Sequence, residues 1–250
     1  MKSEKVVIIT GASRGIGAET AKLFAEDGYA VCINYLSNSD AAESVKEAIL
    51  QQGVQCIAVK ADVSVSKDVE RLFETVDREL GCVSVLVNNA GILKTQSRFE
   101  DISEERFGDI FRVNVMSCFL CSKEAVKRMS VKHGGLGGAI VNVSSRAAQT
   151  GSPNEYVDYA ASKGAMDTMT KGLAMEVAAE GIRVNGVRPG LIYTEMHASG
   201  GEAARVDRLK TKIPMQRGGE ARDVAESILW LASEKSSFVT GTFIDTSGGL

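Results

Sequence analysis

The chain has 250 residues, 44% apolar and 24% charged, with a formal net charge of −3. That length and apolar content allow one large core and point to a single domain over residues 1–250. The slightly acidic balance, with lysines and arginines interspersed among acids, offers no positive field for a phosphate backbone, and no apolar run approaches a signal or membrane segment, so nucleic acid and membrane are both excluded as expected partners.

In chain order, the β-branched run Val6 to Thr10 predicts a first strand that leads into Gly11, Ala12, Ser13, Arg14, Gly15, Ile16 and Gly17 and then a helix over Ile16 to Asp27. Strands follow at Ala30 to Asn34, Gln55 to Lys60, Val83 to Val87, Ala139 to Val143, Arg183 to Val187 and Thr242 to Asp245. Between them, apolar residues at helical spacing predict helices over Ser39 to Gln52, Ser66 to Leu80, Ser103 to Val131, Tyr156 to Glu180 and Glu220 to Ser233. This alternation predicts an α/β protein whose seven-stranded parallel, doubly wound sheet of Rossmann type carries helices on both faces. The stretch from Leu191 to Gly219 breaks the rhythm with polar residues and glycine pairs, and is expected to form a mobile substrate lid without regular structure.

The spacing GxxxGxG after a strand and before a helix carries chemistry. Gly11, Gly15 and Gly17, with Ser13, Arg14 and Ile16 between them, permit a tight turn that brings backbone amides to a pyrophosphate at the positive end of the helix. The similar run Gly134, Gly135, Leu136, Gly137, Gly138 precedes a strand and is read as a turn. An NAD enzyme usually places an acid at the end of the second strand, where this chain has Asn34, Tyr35, Leu36, Ser37 and Asn38. With no acid to repel a phosphate and Arg14 able to meet one, NADP(H) is favoured and NAD(H) remains the alternative, with Tyr35, Ser37 and Asn38 beside the adenosine. Asp62 and Val63 after the third strand are expected near the adenine, and Asn89, Ala90 and Gly91 after the fourth near the ribose.

Ser144 and Ser145 follow the fifth strand, and Tyr159 and Lys163 stand four apart on the next helix, sharing one face. A tyrosine with a solution pKa near ~10 needs a cation to work at neutral pH, and Lys163 is expected to lower it. Tyr159 then exchanges a proton with the substrate oxygen, and a serine hydroxyl opposite steadies that oxygen. Tyr156 lacks a lysine four residues on and is set aside. Arg146, Gln149, Glu155, Tyr156, Tyr193, Met196 and His197 are expected around the pocket, and their mixture permits a polar ligand without naming one.

Cys32, Cys56, Cys82, Cys118 and Cys121 are an odd set in apolar surroundings and are read as reduced thiols of a cytoplasmic protein. The CxxC of Cys118 and Cys121 lies mid-helix, where no helix dipole activates a thiol. Two histidines, His133 and His197, offer no basis for a metal site.

Together TGASRGIG, NNAG, Ser145, Tyr159 with Lys163, and Arg188-Pro189-Gly190 resemble the short-chain dehydrogenase/reductase family over almost the whole chain. The resemblance is nearest to its bacterial 3-oxoacyl-carrier-protein reductases and sugar dehydrogenases of the glucose 1-dehydrogenase kind, through YAASKG, GIRVN and a late VTG. It implies an NADP(H)-dependent carbonyl reductase or alcohol dehydrogenase. A sugar dehydrogenase using either nucleotide and a dinucleotide-binding protein without turnover are the alternatives. The resemblance further implies that Asn114 holds a water beside Lys163 through its backbone carbonyl, that Pro189, Gly190, Ile192 and Thr194 grip the carboxamide, and that the protein is a homotetramer. Tyr159 stands fourteen positions after Ser145, one more than is usual in such relatives. This leaves Ser144 as an alternative to Ser145, which is preferred because a loop absorbs the extra residue.

Overall fold

A computed structural model describes residues 5–250. Its seven strands are β1 (Val6–Ile9), β2 (Ala30–Tyr35), β3 (Cys56–Lys60), β4 (Val85–Asn88), β5 (Gly138–Val143), β6 (Ile182–Pro189) and β7 (Phe243–Thr246). They form one parallel sheet in the order β3-β2-β1-β4-β5-β6-β7. The order reverses between β1 and β4, and that switch point opens the crevice in which such sheets bind ligands.

Strand alternation sorts the core into two layers. Val7 and Ile9 face one side, where they pack with Ala21 and Phe24 of α1 (Gly15–Glu26), Val45 and Ile49 of α2 (Ser39–Leu50) and, from late in the chain, Ile228 and Leu231. Val6 and Ile8 face the other, with Leu72 and Phe73 of α3 (Ser66–Glu79) and, further along, Met129 and Val177. Because both faces are covered, the strands are continuous apolar runs instead of alternating ones. Each fully buried aromatic such as Phe24 or Phe73 contributes about 1.5–3 kcal/mol through area removed from water.

The helical stretch expected over Ser103 to Val131 is present but not uniform: α4 (Glu104–Phe111) and α5 (Ser117–Met129) are joined by a π-helical turn at Arg112–Met116. That widened turn contains Asn114, whose side chain is fully buried and turned to the backbone of Ile92. After β5 come a single turn, α6 (Ala147–Thr150), and the long α7 (Val157–Val177).

The stretch from Leu191 to Gly219 is folded, which corrects the expectation of a segment without regular structure. It contains α8 (Met196–Ser199) and α9 (Arg205–Leu209) and is closed at its base by a bridge between Ile192 and Gly219, with hydrogen bonds of 2.9 Å from Tyr193 N–H to Gly219 O and from Gly219 N–H to Leu191 O. The short helices escape periodicity analysis because four or five residues span little more than one turn. α10 (Ala221–Ala232) then leads to β7. No helix among the described residues is long and apolar enough to cross a membrane.

Candidate active site

The glycine loop is held by two buried or half-buried asparagines. Asn89 Nδ2 donates to the carbonyls of Thr10 (2.9 Å) and Gly11 (3.1 Å), while Thr10 Oγ1 accepts the N–H groups of Asn89 and Ala90. On the other side Asn34 Oδ1 accepts the Gly11 N–H at 3.2 Å and its Nδ2 donates to Ala61 O at 3.0 Å, fastening the loop to the end of β3. Gly11 has φ +62°, and a Cβ at Gly17 would stand 2.5 Å from Asn89 Nδ2 and 2.7 Å from Gly11 O. Glycine is required at the first by backbone conformation and at the second by close approach. α1 begins with no side-chain cap and no acid in its first turn, so its leading N–H groups are left for an anion. These features fit a nucleotide pyrophosphate.

Beside the loop a cleft of about 860 Å³ is lined by Ser13, Arg14, Gly15, Lys22, Asn38 and Thr194. Arg14 is exposed, and none of the described residues hydrogen-bonds or pairs with its guanidinium. Tyr35 ends β2 half-buried and Ser37 is exposed, whereas Asn38 spends its side-chain oxygen capping α2, accepting the Ala41 N–H at 3.0 Å. Asp62 is similarly committed at one oxygen, which accepts from the Ser64 N–H and hydroxyl, and its other oxygen lies 3.9 Å from Arg112. Val63 is buried in the core, leaving only its backbone for a ligand.

At the chemical end, the two serines after β5 diverge. Ser144 is buried and its hydroxyl donates to Lys163 O at 3.4 Å, whereas Ser145 accepts the Ala147 N–H at 3.1 Å and stands beside the Tyr159 phenol, close enough to favour its ionised form. Lys163 is buried, with Nζ donating to Val143 O at 2.8 Å and lying 5.6 Å from the Tyr159 ring centre. Gly91 adjoins both polar groups: a Cβ there would be 3.3 Å from Asn114 Oδ1 and 3.6 Å from Lys163 Nζ. Asn114 Oδ1 accepts the Ile92 N–H at 2.8 Å, and its Nδ2 donates to Ile92 O and to Ser162 Oγ.

The expected lowering of the tyrosine pKa is not found in the protein alone. Burial pushes the Tyr159 phenol up to about 12, opposed by the Ser145 hydroxyl beside it, and the same burial pulls the Lys163 ammonium down to about 8. The lysine is aimed at a backbone carbonyl, so desolvation outweighs its attraction for a phenolate.

Beneath these residues lies a buried amide network that the sequence analysis missed. Asn88 Nδ2 donates to Asn142 Oδ1 (2.8 Å) and Ser122 Oγ (3.0 Å), and Asn142 Nδ2 donates to Thr170 Oγ1 (2.8 Å). It locks β4 and β5 to α5 and α7. The available signal was an asparagine interrupting the β-branched run AIVNV.

One cavity of about 350 Å³ joins the two ends: Ile16 and Asn89 line it together with Ser145, Tyr159, Lys163, Pro189, Gly190, Ile192 and Thr194. Of the seven residues expected around the substrate, Arg146, Tyr156, Met196 and His197 line it. Glu155 instead grips Arg205 through both oxygens (2.9 and 2.5 Å), Tyr193 donates to Asp207 at 2.9 Å, and Gln149 accepts from Arg146. Arg205, Leu209 and Lys212, from the segment over residues 191–219, complete the wall. A larger hollow of about 1760 Å³ sits at the amino ends of the strands, beside the turn at Gly134–Gly138, away from these residues. Cys118 and Cys121 are buried free thiols, the first raised by burial to about 12 and the second higher still.

Comparison with known proteins places this geometry in context. A family profile described as enoyl-(acyl carrier protein) reductase, of the short-chain alcohol-dehydrogenase type, matches residues 11–250. An oxidoreductase of Escherichia coli K12 named "Uncharacterized oxidoreductase YgfF" is 57% identical over 244 residues, covering 98% of this chain and 99% of the relative. The 3-oxoacyl-[acyl-carrier-protein] reductase FabG of Staphylococcus aureus is 35% identical over 250 residues, covering 100% and 99%. Among solved structures, a short-chain type dehydrogenase/reductase from Mycobacterium marinum superposes with a TM-score of 0.92 at 35% identity, covering 99% of this chain and 95% of that one.

Proposed function

The chain belongs to the short-chain dehydrogenase/reductase family and is an oxidoreductase, and on that premise we propose that it moves hydride between NADP(H) and a small carbonyl compound or secondary alcohol, with Tyr159 as general acid and base. The observation that carries this reading is the shared cavity in which Ser145, Tyr159 and Lys163 meet Ile16 of the glycine loop and Asn89, which follows β4 and holds that loop. When bound, the nicotinamide supplies or accepts the hydride. Tyr159 hands a proton to the substrate oxygen or takes one from it, while Ser145 donates a hydrogen bond to that oxygen. Lys163 and Asn114 stand behind the phenol, where Asn114 is to hold a water that replenishes the proton. Arg14, free of a protein partner, meets the adenosine phosphate and favours NADP(H) over NAD(H), Tyr35, Ser37 and Asn38 bound the same ribose, and Asp62, Val63, Ala90 and Gly91 flank the adenine and ribose.

The folded segment over residues 191–219 acts in this reading as the substrate lid of a single-domain cytoplasmic enzyme. Exposed apolar side chains on α4, α5 and the turn between them, Phe107, Phe119 and Met116, support self-association, in this reading as a homotetramer, which sedimentation would read directly.

The test is turnover of ethyl acetoacetate, diacetyl and glucose by purified protein with each nucleotide, followed by Tyr159→Phe on the best pair. The substitution is expected to lower kcat by about 10²- to 10⁴-fold with little change in nucleotide affinity. A Tyr159→Phe protein that kept the wild-type rate would falsify the acid–base assignment.

A further inference from the structure

The helix that carries Tyr159 begins without the usual cap. Tyr156 precedes its first turn and gives no side-chain hydrogen bond to it. The adjacent Asp158 does that work: its Oδ1 accepts the Tyr159 N–H at 2.9 Å, placing a carboxylate at the positive end of α7. The Asp158 side chain is 0% exposed, a costly position for a charge, and it is matched by Arg106 of α4. Arg106 Nε donates to Asp158 Oδ2 at 2.6 Å and Nη2 to Oδ1 at 3.3 Å, a two-point grip. Its remaining arm, Nη1, donates to Thr95 O at 2.6 Å.

Thr95 belongs to the segment after β4 that supplies Leu93 to the cavity wall, and the turn between α8 and α9 rests on it: a Cβ at Gly201 would be 3.0 Å from Thr95 Cγ2. One guanidinium therefore joins α4, the wall of the pocket and the backbone of Tyr159. A buried ion pair is a weak source of net stability, because desolvation offsets most of the attraction, but its fixed geometry specifies position well.

We propose that Arg106 and Asp158 form a positioning pair that sets the depth of the Tyr159 phenol against Ser145. The proposal rests on Tyr159 acting as the acid–base group. Asp158→Asn keeps the shape and an acceptor for the Tyr159 N–H but removes the charge that holds the arginine fork, and Arg106→Lys keeps a charge without the fork. Both are expected to lower kcat by about 10- to 100-fold, as a displacement of the reacting group by about 1 Å would. Nucleotide Kd, read by fluorescence of the reduced form, should stay within about twofold because the glycine loop is untouched.

The double variant Arg106→Gln with Asp158→Asn removes both charges, so it should regain the wild-type Tm while its kcat stays low. This separates positioning from folding, since a pair with a purely structural role would recover activity along with Tm. The proposal is overturned if either single variant keeps kcat within about twofold of wild type, or if the double variant restores kcat in full. A readout independent of turnover is the crystal structure of Asp158→Asn, expected to show the phenol displaced from Ser145 Oγ. An unmoved phenol overturns the pair's role, whereas an inactive wild-type protein whose phenol does move in this variant would count against the functional reading alone.

Discussion

The glycine loop and the Ser145–Tyr159–Lys163 cluster line the same cavity but are held by opposite means. The loop is contiguous in sequence, presents backbone N–H groups at the head of α1, and buries no charge of its own. The cluster draws on the end of β5 and on α7, with Asn114 of the π turn between α4 and α5 close to Lys163, and it buries a lysine amine and a phenol whose pKa values are displaced in opposite directions. Anion binding at a helix end uses dipoles that the backbone supplies in any case. Proton transfer needs a titratable group taken out of water, and the fold must supply the burial and the partners that keep it there.

The largest test of that contrast is steric. Gly17→Ala should weaken nucleotide binding by about 100-fold, since its Cβ would meet Asn89 Nδ2 at 2.5 Å and Gly11 O at 2.7 Å. Gly108→Ala, where the added Cβ has nothing within 4 Å, is the control and should bind normally. Equal nucleotide affinities for the two variants, measured by calorimetry, would mean that the loop is not the rigid element described.

The cluster should respond to pH where the loop does not. With its pKa lowered from 10.5 to about 8, Lys163 is an ammonium below that pH and neutral above it, while the phenol remains protonated up to about 12. Carbonyl reduction, which uses the protonated phenol backed by the cation, should therefore lose kcat/KM by about tenfold per pH unit above the lysine pKa. Lys163→Arg, whose guanidinium stays charged, should flatten that limb, and an unchanged profile in this variant would remove Lys163 from the titration. The smallest effect is expected at Arg14→Ala, which should cut the preference for NADPH over NADH by about 5- to 10-fold, a charge-assisted contact weakened by solvent exposure. Comparing Kd for the two nucleotides checks it.

Much of this was legible in the residues themselves. The seven strands, the sheet's two covered faces and the loop at Gly11 to Gly17 follow from short β-branched runs, from apolar residues at helical spacing between them and from glycine at set spacings. The Tyr159–Lys163 spacing was readable too, but the sign of the phenol's shift was not, because desolvation depends on what other segments cover it. The amides of Asn34, Asn88 and Asn142 went unseen as structural ties, since a polar residue in an apolar run does not reveal its partner. Glu155 was expected at the pocket and is instead spent on Arg205, fifty residues away in sequence.

By itself, then, the sequence determined what is local and periodic: which segments extend, which coil, and where backbone amides gather at the head of a helix. Only the tertiary structure decided that the Ser144 hydroxyl turns to the Lys163 carbonyl while Ser145 lines the cavity with Tyr159, that Leu191 to Gly219 folds into short helices over that cavity, and that Arg106 reaches Asp158. These outcomes depend on burial and on contacts between residues far apart in the chain, where the free energy of an ionisable or hydrogen-bonding group is set by the neighbours that exclude water from it.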